Sequence, residues 1–404
     1  MSEKKGILIV GGGLLQIAAL EKAKELGYYT FLTDMKENCP ASKYADEFFK
    51  LNTKDIKGHM NLAKELRRHN KIAAVYTQGC DVEYTVAMAA NAAGLPGVNP
   101  EAALNCNDKI RMRKILNDSG VDYVKYGCSK NIGEALKVLD NIGLPCIVKP
   151  ADNSASRGLT KVYKKEEIRN AFDSAINNCF LKKEVIIEEL LTGNEFSIDT
   201  VIYNGKLYPA GISDRVFKNY HEYAVQIGSI TPSLLPELLQ QDMYNLMDKA
   251  AQALGVDNGA FKGDIIIVNN KPKIIEVTAR TSGGFDSQYR KPFSFGIDIL
   301  KCTIDIAMGN EFDPYDLIPK WVKWSMTTSV FPKPGIVRKI KGINKLKKIK
   351  GVRKIFIDLK EGDIVEPYIH CARRVNHIII TADTYNELMN LEEQVQKTLI
   401  IETE

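Results

Sequence analysis

The sequence predicts an α/β and α+β chain: an N-terminal parallel α/β domain, two α+β subdomains and a small C-terminal mixed domain. Three observations lead there. At 404 residues the chain exceeds one ordinary core. Strand and helix patterns alternate up to about residue 105, as in a parallel sheet with crossover helices. From about residue 193 the pattern changes to long paired strands. The expected boundaries are 1–105, 106–190, 191–310 and 311–404.

The elements follow in order. "GILIV" (6–10) is a short apolar strand, and "LLQIAALEKAKELG" (14–27) a helix stopped by Gly27. A second strand ends at Asp34, a helix covers 56–70, and "IAAVYTQ" (72–78) is the third strand. A further helix, 81–95, is closed by Pro96. In the next unit, helices are expected at 108–118, 131–143 and 165–180, and strands at 144–150, 158–163 and 183–190. Long strands cover 195–214 and 222–232, then a helix runs over 234–255. "GDIIIVNNKPKIIEVTAR" (263–280) reads as two strands about a polar turn. Pro-rich 312–321 marks a boundary, and 381–401 is a helix followed by a short strand.

Composition narrows the function classes. The chain is 45% apolar and 26% charged, as soluble globular proteins are. Its net charge of +5 is too small to imply a polyanionic partner. One run, 338–354, holds nine basic and no acidic residues. Ile340, Ile343, Leu346, Ile349 and Val352 recur every third position in it, which suits a helix-like element with one buried face and solvated lysines around it. No interleaved aromatic supports base stacking, so no nucleic-acid partner is expected. The eight cysteines show no C-x-x-C pair and suggest neither a disulfide framework nor a zinc knuckle. No leader or membrane span is expected, which places the chain in the cytoplasm.

Gly11–Gly13 lie between a strand and a helix, where backbone can approach a ligand. Asp34 closes the next strand, where a dinucleotide fold holds ribose. Gln16 stands where the third glycine of G-x-G-x-x-G would be, so an NAD-dependent oxidoreductase is a minor alternative. The hairpin says more. With a three-residue loop, Asn269–Lys271, Val268 faces Pro272 and Asp264 faces Glu276. A two-residue loop would shift the pairing by one and separate the acids. Two carboxylates on one face repel unless a cation lies between them, and carboxylate oxygens suit Mg²⁺. Arg280 follows with a planar donor fork for phosphate oxygens.

Lys149 ends an apolar strand and needs an anionic partner, for which a nucleotide phosphate would serve. Ser154, Ser156 and Gly158 follow in a loop of small residues able to fold over phosphates. Lys109 opens a helix and could be a second phosphate contact. Glu188, Glu189, Leu191 and Glu195 surround an apolar linker suited to an adenine and its ribose.

In this order the stretches "NDK" (107–109), "LPCIVKPADNSASRG" (144–158), "VIIEELLTGNEFSID" (185–199), "GAFKGDIII" (259–267) and "KIIEVTAR" (273–280) resemble the ATP-grasp superfamily. Within it they resemble the carboxylate–amine ligases, with a carbamoyl-phosphate-synthase-like ATP-binding region. The glycine-rich start and "GDIVEPYIHCARRVNHIIITADT" (362–384) resemble the outer domains of those ligases. The resemblance implies a two-subdomain ATP-grasp fold after the N-terminal domain. It implies Lys109 and Lys149 on the phosphates, Ser154–Gly158 as a lid, and Glu188 with the Glu189–Leu191 backbone at the adenine. It further implies Glu195 on the ribose, Asp264 and Glu276 as Mg²⁺ ligands, and Arg280 facing the transferred phosphate.

Some positions depart from the family pattern. Thr278 stands where an asparagine ligand is usual, and Asp264 where glutamate is commoner. On the substrate side Gln226 and Ser229 replace a glutamate and a histidine. Arg215, Lys218 and His221 are offered for an anionic substrate, Arg215 first, and Ser282 lies near the same place. The expected catalytic set is Arg280, Lys149 and Arg215. The expected activity is an ADP-forming ligase that makes an acyl phosphate from a small carboxylate and joins it to an amine. ATP and one or two Mg²⁺ ions, with Mn²⁺ as a substitute, are the expected cofactors, and a homodimer is allowed. Other readings are a bicarbonate-activating carboxylase and an ATP-binding protein without catalysis.

Overall fold

The computed structural model describes residues 5–153, 156–180, 182–220, 223–369 and 371–404. The first sheet holds β1 (Gly6–Val10), β2 (Tyr29–Asp34), β3 (Glu47–Lys50) and β4 (Ile72–Tyr76), all parallel, in the order β3-β2-β1-β4. Helices cover both faces, which is why β1 is apolar throughout rather than alternating. Ile7 and Ile9 enter one core with Leu20 and Ala23, while Leu8 and Val10 enter the opposite core with Ala63 and Leu66.

Four antiparallel strands follow: β5 (Tyr126–Ser129), β6 (Cys146–Pro150), β7 (Thr160–Val162) and β8 (Val185–Glu189), in the order β5-β8-β6-β7. One face packs Val148 and Ile187 against Leu139, Phe172 and Ala175 of the helices 132–142 and 168–177. Strand alternation turns Ile147, Lys149 and Glu188 the other way, into a cleft.

The largest sheet has eight strands. β9 (Asn194–Tyr203), β10 (Lys206–Tyr220), β11 (Tyr223–Thr231), β12 (Gly259–Val268) and β13 (Lys271–Thr278) are joined by β14 (Trp324–Thr328), β16 (Val352–Ile357) and β18 (Asn376–Ala382). The order is β13-β12-β9-β10-β11-β14-β18-β16, so the C-terminal strands extend the central sheet. Beneath it the helix Glu237–Leu254 packs Met243, Met247 and Ala250 onto Phe261, Ile265, Ile274 and Val277. A side chain at Gly263 would put Cβ 2.6 Å from Met247 Sδ, so glycine permits this close approach. β15 (Gly335–Lys341), β17 (Ile364–Val365) and β19 (Ile400–Thr403) form a small outer sheet.

The basic run 338–354 is not the helix-like element expected. It comprises part of β15, a four-residue helix (Ile343–Leu346) and the start of β16. Positive φ at Gly342 and Gly351 breaks the run on either side of that helix. The apolar set still turns inward: Leu346 is buried, and Ile340, Ile343, Ile349 and Val352 pack against the C-terminal core. Among the described residues, no helix is long and apolar enough to cross a membrane.

Candidate active site

A cleft of about 1210 Å3 runs between the N-terminal unit, the four-stranded sheet and the eight-stranded sheet. Lys109, Lys149, Ser156, Glu188, Glu189, Leu191, Glu195, Arg215, Asp264, Glu276 and Arg280 all line it. Two predicted residues are not so placed. Ser154 lies outside the described residues. Gly158 is not among the lining residues. Its φ is +72°, and a Cβ there would sit 2.7 Å from Asn178 Cβ and 3.1 Å from Pro150 Cγ. Glycine at 158 serves a tight turn against its own sheet rather than an approach to phosphate.

The hairpin corrects one expectation and keeps its consequence. The turn has two residues, Asn269 and Asn270, both at positive φ, between the paired Val268 and Lys271. That backbone matches the strand twist, and asparagine tolerates it. In unbroken register Asp264 would then face Ile275. Instead the register shifts between Asp264 and Ile265, and Asp264 pairs with Glu276. A bulge at Ile275 absorbs one residue, so Ile274 and Val277 both reach the core while Glu276 turns to the cleft.

Each carboxylate has its own cation. Lys262 Nζ lies 2.7 Å from Asp264 Oδ2, and Arg215 Nη1 lies 3.6 Å from the same oxygen. Burial would raise the Asp264 pKa, but Arg215 and Lys262 outweigh it and hold it below its ordinary value. Lys109 Nζ is 3.4 Å from Glu276 Oε2 and donates to the Asn153 carbonyl at 2.7 Å. Burial opposes the charge on Lys109, yet Glu276 and Asp81 raise its pKa, so the buried ammonium stays charged. The two acids thus fit a divalent cation chemically: they are carboxyl groups on one face, directly opposed. The hydroxyl of Thr278, two residues on, is buried with no hydrogen-bond partner.

Glu188, expected at the adenine, is paired with two cations of the cleft wall. Lys149 Nζ lies 2.5 Å from its Oε2, and Arg113 Nε donates to its Oε1 at 2.7 Å. Arg113 also donates to the Ile274 carbonyl at 2.8 Å. Burial alone would favour the neutral acid, but Lys149 and Arg113 prevail and set the Glu188 pKa at about 2. With both oxygens engaged, this carboxylate anchors Lys149 to the cleft wall. Glu189 accepts from the Lys125 backbone N–H at 2.7 Å.

Arg215 Nη1 donates to Glu195 Oε2 at 2.8 Å, and Nη2 to Gln226 Oε1 at 3.2 Å. Gln226 in turn donates to Ser229 Oγ at 2.7 Å, so the two substrate-side departures are bonded to each other. Arg280 donates from Nε to Asp81 Oδ1 at 2.8 Å, tying the eight-stranded sheet to the N-terminal unit. In the same cleft, burial and the neighbouring Arg215 and Arg290 push the Arg374 pKa down. Among the described residues Arg374 has no carboxylate in ion-pair distance, and its Nε donates to the Cys371 carbonyl at 3.2 Å. His221 lies outside the described residues.

The glycine turn is committed to the fold. Asp34 Oδ2 accepts from Gly12 N at 2.8 Å, and its Oδ1 from Lys36 N at 2.9 Å. The Gln16 amide donates to the Gln78 carbonyl. Sequence reasoning passed over Lys262, Arg113 and Arg374. The first two carried a signal: Lys262 precedes Asp264 by one strand period, and Arg113 follows Lys109 by one helical turn.

A parallel N-terminal sheet, an antiparallel sheet carrying the buried Lys149 and a central sheet carrying opposed carboxylates define a nucleotide-grasping fold. The chain belongs to the ATP-grasp superfamily, on its carboxylate–amine ligase branch. The family pattern described as ATP-grasp domain matches residues 142–288, and that described as L-amino acid ligase C-terminal domain 2 matches residues 328–404. The chain is 28% identical over 259 residues to alanine–anticapsin ligase of Bacillus subtilis, a stretch covering 56% of this chain and 52% of that one. It is 23% identical over 331 residues to the multifunctional protein ura1 of Schizosaccharomyces pombe, covering 77% of this chain and 14% of that one. The chain thus spans about half, or less, of these curated relatives. Among solved structures, L-amino acid ligase from Bacillus licheniformis superimposes with a TM-score of 0.85 over the whole of both chains at 20% identity. Phosphoribosylglycinamide synthetase from Anaerococcus prevotii gives 0.78 at 23% identity, covering 99% of this chain and 100% of that one. At such identities these two likenesses concern the fold.

Proposed function

We propose that the chain is a cytoplasmic, ADP-forming carboxylate–amine ligase using ATP and Mg²⁺. One observation carries the reading: the opposed Asp264 and Glu276 share one cleft with the buried Lys109 and Lys149 and with the cationic pair Arg215 and Arg374. Lys109 and Lys149 hold the nucleotide phosphates. Arg215 and Arg374 receive a small carboxylate. Asp264 and Glu276 would hold one or two Mg²⁺ ions, or Mn²⁺ in substitution, which offset phosphate charge when bound.

The substrate carboxylate oxygen attacks the γ-phosphorus, the bond to the β–γ bridging oxygen breaks, and ADP leaves. Lys149, Lys109 and Arg280 stabilise the charge that develops on the transferred group. The loop that includes Ser156 and Gly158 closes against water, which would hydrolyse the acyl phosphate. An amine then attacks the acyl carbon, phosphate leaves with its bridging oxygen, and the nitrogen loses a proton. The product is an amide.

The test is ADP release with Mg–ATP against pools of amino acids and small carboxylates, with and without an amine, followed by mass spectrometry. Release that needs both partners, with a product mass equal to their sum less one water, is expected. It should vanish in Lys149→Ala and Glu276→Ala. A chain that binds no Mg–ATP would overturn the reading.

A further inference from the structure

A second cavity of about 300 Å3 adjoins the phosphate end of the main cleft, and Lys109 and Glu276 line both. Glu83 and Thr278 line the smaller one, with Asn107, Cys80 and Cys106. Each of Glu83 and Thr278 is 2% exposed. Asn107 is a polar neighbour of Glu83, yet neither carboxylate oxygen of Glu83 meets a donor in hydrogen-bonding geometry. The Thr278 hydroxyl is likewise unpartnered. Arg280 is bonded to Asp81, and Lys109 is paired with Glu276; Lys54, which lies over the Phe180 ring, and Arg157 also line the cavity.

A buried carboxylate without a donor is costly, and the cost falls when a ligand supplies donors. Two orphan acceptors facing one small cavity call for a ligand with several N–H groups. Burial and the neighbouring Asp81 raise the Glu83 pKa to about 7, and a positively charged donor entering the cavity would restore its ionised form. A metal ion is a poorer match, because Glu83 and Thr278 offer it one carboxylate and one neutral hydroxyl. We infer that this cavity is a subsite for a primary ammonium group, received by the Glu83 carboxylate and the Thr278 hydroxyl beside the phosphate-transfer centre. This deepens, and rests on, the ligase reading. Such a group could belong to the activated amino acid or to the attacking amine before it loses its proton.

The probe is ethylammonium chloride, followed by saturation-transfer NMR on the full chain without turnover. Saturable binding is expected, at least tenfold weaker in Glu83→Gln and in Thr278→Val. Tetramethylammonium, which has no N–H, should not displace it. Melting and Mg–ATP binding check that the variants fold. No ethylammonium binding, equal binding in Glu83→Gln, or displacement by tetramethylammonium would each overturn the inference. Where turnover is found, the substrate whose KM rises in Glu83→Gln identifies the source of the ammonium; a rise in neither would also overturn it. Failure of turnover alone would count against the ligase reading, because the NMR result stands without it.

Discussion

Asp264 and Glu276 stand opposite each other on the cleft face although their two-residue turn, taken alone, would separate them; the bulge at Ile275 restores the pairing. Each acid is balanced by a different cation, Lys262 and Lys109 respectively. A metal ion entering between them competes with both. We therefore expect Glu276→Ala and Asp264→Ala each to lower kcat/KM for Mg–ATP by about 100-fold or more. Steady-state kinetics over a Mg²⁺ titration would decide this. Near-wild-type behaviour of either variant would remove that residue from the metal pair.

Glu188 pairs with two buried cations, Lys149 and Arg113. Its removal leaves Lys149 without its carboxylate and Arg113 with Asp122, 3.6 Å away. Glu188→Ala should cost about 3–5 kcal/mol of stability, as breaking a buried ion pair does. Adding Arg113→Met to that variant should recover part of the loss. Urea unfolding of the single and double variants gives the coupling; simple additivity would mean that the two residues do not act together.

The same carboxylate gives a pH dependence with a definite sign. Its folded pKa of about 2 is below the ordinary 4.5. Its contribution to stability is therefore complete above about pH 4.5 and is lost as pH falls through about 2. Between those values the wild type should lose stability more steeply than Glu188→Gln. Parallel curves would place the acid sensitivity elsewhere.

Gly158 combines a φ of +72° with a Cβ position 2.7 Å from Asn178 Cβ. Gly158→Ala should therefore destabilise its sheet by roughly 1–3 kcal/mol. Hydrogen exchange should rise in the strands around 146–162 and leave the N-terminal sheet unaffected. Unchanged protection at 146–162 would show that the loop can relax around the new side chain.

Arg374 lacks a carboxylate partner among the described residues and lines the cleft near Arg215 and Arg290. Arg374→Met should raise the KM of the carboxylate substrate about 10- to 100-fold, the worth of a hydrogen bond to a charged group. The KM for ATP should move little. Equal rises in both would mean that Arg374 supports the cleft as a whole.

Local patterning determined a good deal. The apolar runs of β1 and β4 and the helices between them specify a parallel sheet, because a strand buried on both faces must be apolar throughout. Asp264, Glu276, Lys149 and Lys109 were legible as charges in or beside apolar segments, where a charge needs a partner. Which partner was not legible. The pairing of Asp264 with Glu276 depends on a one-residue bulge, and strand period alone cannot say where an extra residue will be absorbed. The hold of Arg113 on Glu188 spans 75 residues, and that of Arg280 on Asp81 spans 199. Such contacts arise only when separate sheets pack together, since the geometry that joins them belongs to no single segment. For the same reason nothing in the sequence sets apart Glu83, a first-turn acid that the fold buries without a hydrogen-bond partner.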